Sequence, residues 1–169
     1  ELGAGPWRRL TADAGWADYA HSERDDTGAA LATFTDKEWD ARAEAVSDAW
    51  GPFSEAALGV QLQQRDFAAL GEGAEYLSPT RTTNQAVFGF AEAPLSPQLR
   101  LQFGARAERV EVRGTPADDV PTSRSLTPLS ASVGLLFEPS EQWRLGLALS
   151  SAARAPAQNE RHRSGTRGV

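Results

Sequence analysis

The stretch Leu99-Arg100-Leu101-Gln102-Phe103-Gly104-Ala105-Arg106-Ala107-Glu108 decides the fold. Its odd positions are Leu, Leu, Phe, Ala and Ala, and its even positions are Arg, Gln, Gly, Arg and Glu. A helix repeats its apolar positions every three to four residues, whereas a strand alternates its faces at every residue. The segment therefore reads as a β-strand with one apolar and one polar face. The same period returns at Leu129, Ala131, Val133, Leu135 and Phe137, and again at Trp143, Leu145, Leu147 and Leu149. Weaker versions run through Ala86, Phe88 and Phe90, through Ala56, Leu58, Val60 and Leu62, through Trp39, Ala41, Ala43 and Ala45, and through Leu10, Ala12, Ala14 and Trp16.

The expectation is an all-β chain, an antiparallel up-and-down meander of about seven strands. Residues 38–48 admit a second reading. Glu38, Ala41, Arg42, Ala43, Glu44 and Ala45 are good helix formers and fit an amphipathic helix as well. The spacing of the neighbouring strands, which a single helix would interrupt, favours strand.

The connections alternate in length. Short turns are expected at Ala49-Trp50-Gly51-Pro52, Pro94-Leu95-Ser96-Pro97 and Glu138-Pro139-Ser140-Glu141, where Pro and Gly fix tight reversals. Between them lie polar stretches at 20–37, 67–81 and 113–124, which read as long loops. Up-and-down barrels of the outer membrane have short periplasmic turns and longer outer loops. On this reading Trp50, Pro52, Pro97 and Pro139 face the periplasm, and the loops around Asp25, Gly73 and Asp118 face outward. Trp7, Trp16, Tyr19, Trp39, Trp50, Phe53, Phe67, Phe137 and Trp143 fall mostly near strand ends, where interfacial girdles form. Aromatic residues also prefer strands for reasons unrelated to membranes.

Composition narrows the function. A net charge of −6 and a pI near 5.0 disfavour a nucleic-acid partner, which would need clustered Lys and Arg. The one basic cluster, Arg161, Arg163 and Arg167, reads as a solvated tail. Without Cys the chain has no disulfide framework, thiolate nucleophile or Cys-based metal site. His21 and His162 lie too far apart in sequence to form a spaced ligand pair. No apolar run approaches the roughly 18 to 20 residues of a transmembrane helix, but a barrel strand needs only about 9 to 11. The chain starts at Glu1, contains no Met and opens on no signal-peptide pattern, so a mature or excised segment is expected.

Enzyme signatures are missing: there is no nucleophile elbow, phosphate-binding Gly-rich loop or His-Glu-Xaa-Xaa-His helix. Gly71-Glu72-Gly73 lacks the third glycine and flanking elements of a dinucleotide site. The acidic pairs Asp25-Asp26 and Asp118-Asp119 read as solvated loop residues. His21, Glu23 and Asp25 alternate at the outer end of the first strand and are the candidate metal ligands. No catalytic residue and no cofactor are expected. The residues expected to face a lumen are Arg100, Gln102, Arg106, Glu108, Ser130, Ser132 and Arg144. The alternative reading is a soluble all-β ligand-binding module, with the apolar face packed into a closed core.

Three segments, in order, resemble the barrel strands of TonB-dependent outer-membrane receptors. Gly104-Ala105-Arg106-Ala107-Glu108-Arg109 is similar to that family's G-x-R-x-E strand, and 126–134, from Leu126-Thr127-Pro128 to Gly134, to its T-P-x-x-G strand. Residues 143–156, from Trp143 to Arg154-Ala155-Pro156, resemble a strand entering a long outer loop, with Glu160 as the acidic residue that follows. Arg65-Asp66-Phe67, Leu70-Gly71-Glu72 and Pro79-Thr80-Arg81-Thr82 are similar to the branch associated with zinc or haem uptake.

The resemblance implies residues 1–156 as a partial transmembrane β-barrel and 157–169 as an irregular tail. It implies a Gram-negative outer-membrane location and energised import of a metal ion, metal chelate or similar scarce nutrient. Its partners would be outer-membrane lipid, the remaining barrel strands, a plug and, through the plug, the TonB complex. The sequence departs from the family in showing no plug, TonB box or terminal aromatic strand, so it is expected to be a receptor fragment.

Overall fold

The structure is a computed structural model that describes residues 7–72, 79–114 and 121–154. It is built from strands: β1 (Trp7–Arg24), β2 (Ala30–Ser47), β3 (Glu55–Gly71), β4 (Thr80–Ser96), β5 (Leu99–Gly114), β6 (Thr122–Leu126), β7 (Leu129–Ser140) and β8 (Trp143–Ser151). They form one antiparallel sheet in the order β1-β2-β3-β4-β5-β7-β8, with β6 also paired to β5. The all-β meander is as expected, and residues 38–48 lie in strand β2 rather than in a helix. The sheet is open: β1 and β8 are its two ends.

Strands β6 and β7 are one crossing interrupted at Thr127-Pro128. Ala107 faces Leu129 and Val110 faces Leu126, so the register against β5 continues unbroken across the gap. Pro128 has no N–H to donate, which breaks the ladder locally. Its carbonyl still accepts the Glu108 N–H at 3.0 Å. The sheet therefore holds seven crossings, the number expected from the period of two.

The connections differ from expectation. Residues 20–24 and 30–37, read as loop, belong to β1 and β2, and only 25–29 turn between them. Of the second expected loop, 67–71 belong to β3 and 80–81 to β4. The cause lies in the pattern itself. On β2 the apolar series Ala45, Ala43, Ala41, Trp39 gives way on the same face to Lys37, Thr35 and Thr33. Where both faces of a strand meet water, alternation disappears from the sequence although the hydrogen-bond ladder continues. The first short-turn connection spans 48–54, while the other two reverse within 97–98 and 141–142. The two ends differ mainly in how far the strands run past the apolar band. Gly73, Asp118, Asp119 and the tail from 155 onward lie outside the described residues.

The 25–29 turn is held by one carboxylate. Asp25 Oδ1 accepts the Thr27 N–H at 2.9 Å, the Thr27 hydroxyl at 2.6 Å and the Ala29 N–H at 2.9 Å. Gly28 takes a φ of 87°, a conformation that a side chain would strain. The Thr27 hydroxyl is the largest cause holding the Asp25 carboxyl below its ordinary pKa of 3.8, with the Ala29 N–H next. A depressed native pKa means that the carboxylate's support is fully present above the ordinary value and is lost as pH falls through the native one.

A second local constraint is Gly59 on β3. A Cβ at this position would overlap the ring of Phe88, which lies directly opposite on β4. The missing side chain makes room for the ring.

Two outcomes follow. Amide exchange at Thr27 and Ala29 in the wild-type chain should keep constant protection from pH 7 down to the ordinary carboxylate range and lose it only below. Asp25→Ala should lack that protection at every pH, and wild-type loss near neutrality would contradict the assignment. Gly59→Ala should lower stability by about 1 to 3 kcal/mol in denaturant titration. In a Phe88→Leu background the cost should shrink, because the ring that is hit has gone.

Candidate functional site

The register divides the sheet into two faces of opposite chemistry. One carries Leu10, Ala12, Ala14 and Trp16 of β1, Trp39 to Ala45 of β2, Leu58, Val60 and Leu62 of β3, and Val87 of β4. The band continues through Leu99 to Ala107 of β5, Leu129 to Phe137 of β7 and Leu145, Leu147 and Leu149 of β8. These side chains are open rather than packed: Leu147 is 67% and Leu149 68% exposed. An apolar band across seven crossings far exceeds the scattered apolar surface of an ordinary water-soluble monomer. Trp16 and Trp39 face one another at its upper limit, and Trp7 lies at the lower end of β1. From Trp7 to Trp16 the strand climbs about 30 Å, or roughly 21 to 24 Å if tilted by 35° to 45°, close to the apolar height of an outer membrane.

The other face is polar. Buried Ala32, Val46, Ala69, Ala86 and Val110 lie on it, while buried Ser47 and Ala56 sit at the lower end of the apolar face. Arg100, Gln102, Arg106 and Glu108 share this face with Ser130 and Ser132, which stand opposite Arg106 and Gly104. Their side chains are tied into a network. Arg106 pairs with Glu108 and donates to Gln61 Oε1 at 3.1 Å. Gln102 donates to Glu92 at 2.8 Å, and Arg100 is paired with both Glu92 and Glu138. Glu138 also receives Arg144 at 2.5 Å. Ser130 Oγ bonds the Ala153 backbone, and Ser132 Oγ occupies the space above Gly104.

The network extends over β2, β3 and β4 through residues not singled out from the sequence. Arg42 bonds Glu44 at 2.8 Å, Arg65 grips Asp36 through two nitrogens, and Gln63 donates to Glu38 at 2.6 Å. The Arg42 guanidinium stacks on the Phe88 ring at 4.2 Å, and Arg106 approaches the same ring at 5.8 Å. A signal existed: Glu38, Asp40, Arg42 and Glu44 alternate with Trp39, Ala41, Ala43 and Ala45. The helix-forming composition of that segment obscured it.

The three candidate metal ligands are placed differently from one another. His21, on the polar face, stacks on Phe34 at 4.9 Å and lies 5.5 Å from Tyr19. Glu23 follows on the same strand, while Asp25 commits its Oδ1 to the turn. Among the described residues no three His, Cys, Asp or Glu side chains gather where they could hold a metal ion. No helix among the described residues is long and apolar enough to cross a membrane, which says nothing of strands.

One face suited to lipid and one polar face, on an open antiparallel sheet, constitute a piece of barrel wall. Comparison with curated proteins and with solved structures gives no match. Residues 4–168 match the family described as TonB dependent receptor-like, beta-barrel. That family comprises outer-membrane nutrient transporters of Gram-negative bacteria rather than enzymes. On both the two-faced sheet and this match over nearly its whole length, the chain belongs to the TonB-dependent receptor family, in the β-barrel part of that family.

Proposed function

We propose that this chain is a segment of the wall of an outer-membrane importer, with its polar face lining the lumen and its apolar band in lipid. One observation carries the proposal: along the band a single register turns most exposed large apolar side chains to one face and mutually paired charged side chains to the other. Arg100, Gln102, Arg106, Glu108, Ser130, Ser132 and Arg144 are assigned to the lumen wall. Their partners there hold them in fixed positions, as a wall facing a water-filled or plugged interior requires.

The end carrying the 25–29 turn is assigned to the cell exterior, because strands β1 to β5 run past the apolar band on that side. The turns at 97–98 and 141–142 then face the periplasm. The seven crossings are too few to enclose the lumen of a large importer, which takes about 22 strands around a plug. Neighbouring barrel strands at β1 and β8, a plug inside, and the TonB complex acting through the plug are therefore the proposed partners. The cargo class is a metal ion, metal chelate or similar scarce nutrient. The likeness of Arg65-Asp66-Phe67 and Pro79-Thr80-Arg81-Thr82 to the zinc and haem uptake branch supports a metal-containing cargo.

The absence of Cys from the sequence makes single-Cys labelling clean. With the chain assembled in phosphatidylcholine bilayers, a fluorophore at Leu147→Cys should be quenched by a lipid-borne quencher. The same fluorophore at Gln102→Cys should answer to a water-soluble one. A chain that is instead monomeric in plain buffer and unfolds cooperatively there would overturn the membrane assignment and favour a soluble binding module.

A further inference from the structure

We draw no further inference here: the strongest candidate, the side-chain cluster of Tyr19, His21 and Phe34 on the polar face at the 25–29 end of β1 and β2, restates a ligand subsite established for TonB-dependent receptors, the stacking of cargo on aromatic side chains of the outer lumen wall.

Discussion

Every backbone N–H and C=O inside a hydrocarbon layer must find a partner within the protein, because no water is there to take its place. The ladder linking β1 through β8 meets that demand along the chain, and the rest of the structure depends on it. Once the ladder is fixed, each residue's face is fixed with it, since successive side chains leave a strand on opposite sides. A slip of one residue of β7 against β5 would turn Val133 to the polar face and Ser132 to the apolar one while Phe103 and Gln102 stayed in place. Register is thus what keeps the two faces of this sheet chemically distinct.

The polar face shows what the ladder makes necessary. Charged side chains crowded on one side of a sheet destabilise it unless signs alternate across neighbouring strands. The pairs Arg100 with Glu92 and Glu138, and Arg65 with Asp36, supply that alternation, and Arg106 pairs with Glu108 along β5 itself. Their value to stability is small where they meet water and larger where burial removes it. What they fix more firmly is position. Phe88, bedded over Gly59 and stacked by Arg42, adds a rigid apolar element among them. The polar face is thus a defined surface of mutually held side chains.

The lipid-side charge row and the open ends of the sheet both point outside the chain. Beyond the band the same face carries Asp18, Lys37, Asp66, Arg81 and Arg113, so charges return to a face that had excluded them. Among the described residues β1 and β8 form the two ends of the ladder, and closing a sheet into a barrel is what removes such edges.

The amino-acid sequence by itself determined the seven crossings, their antiparallel order and the two faces of β5, β7 and β8. A strand between lipid and water must alternate, and alternation is local enough to be read directly, as at Leu99 to Glu108. It did not determine how far the strands extend. Beyond Trp39 and Leu62 the apolar face turns polar at Lys37, Thr35, Gln64 and Asp66, the period fades, and hydrogen bonds to a neighbouring strand rather than side-chain pattern hold the backbone extended. Nor could it bring Arg81 against Arg113, Arg42 onto Phe88, or Asp36 to Arg65. Those partners are distant in sequence, and only the register of three or more strands, a property of the assembled sheet, decides which residues meet.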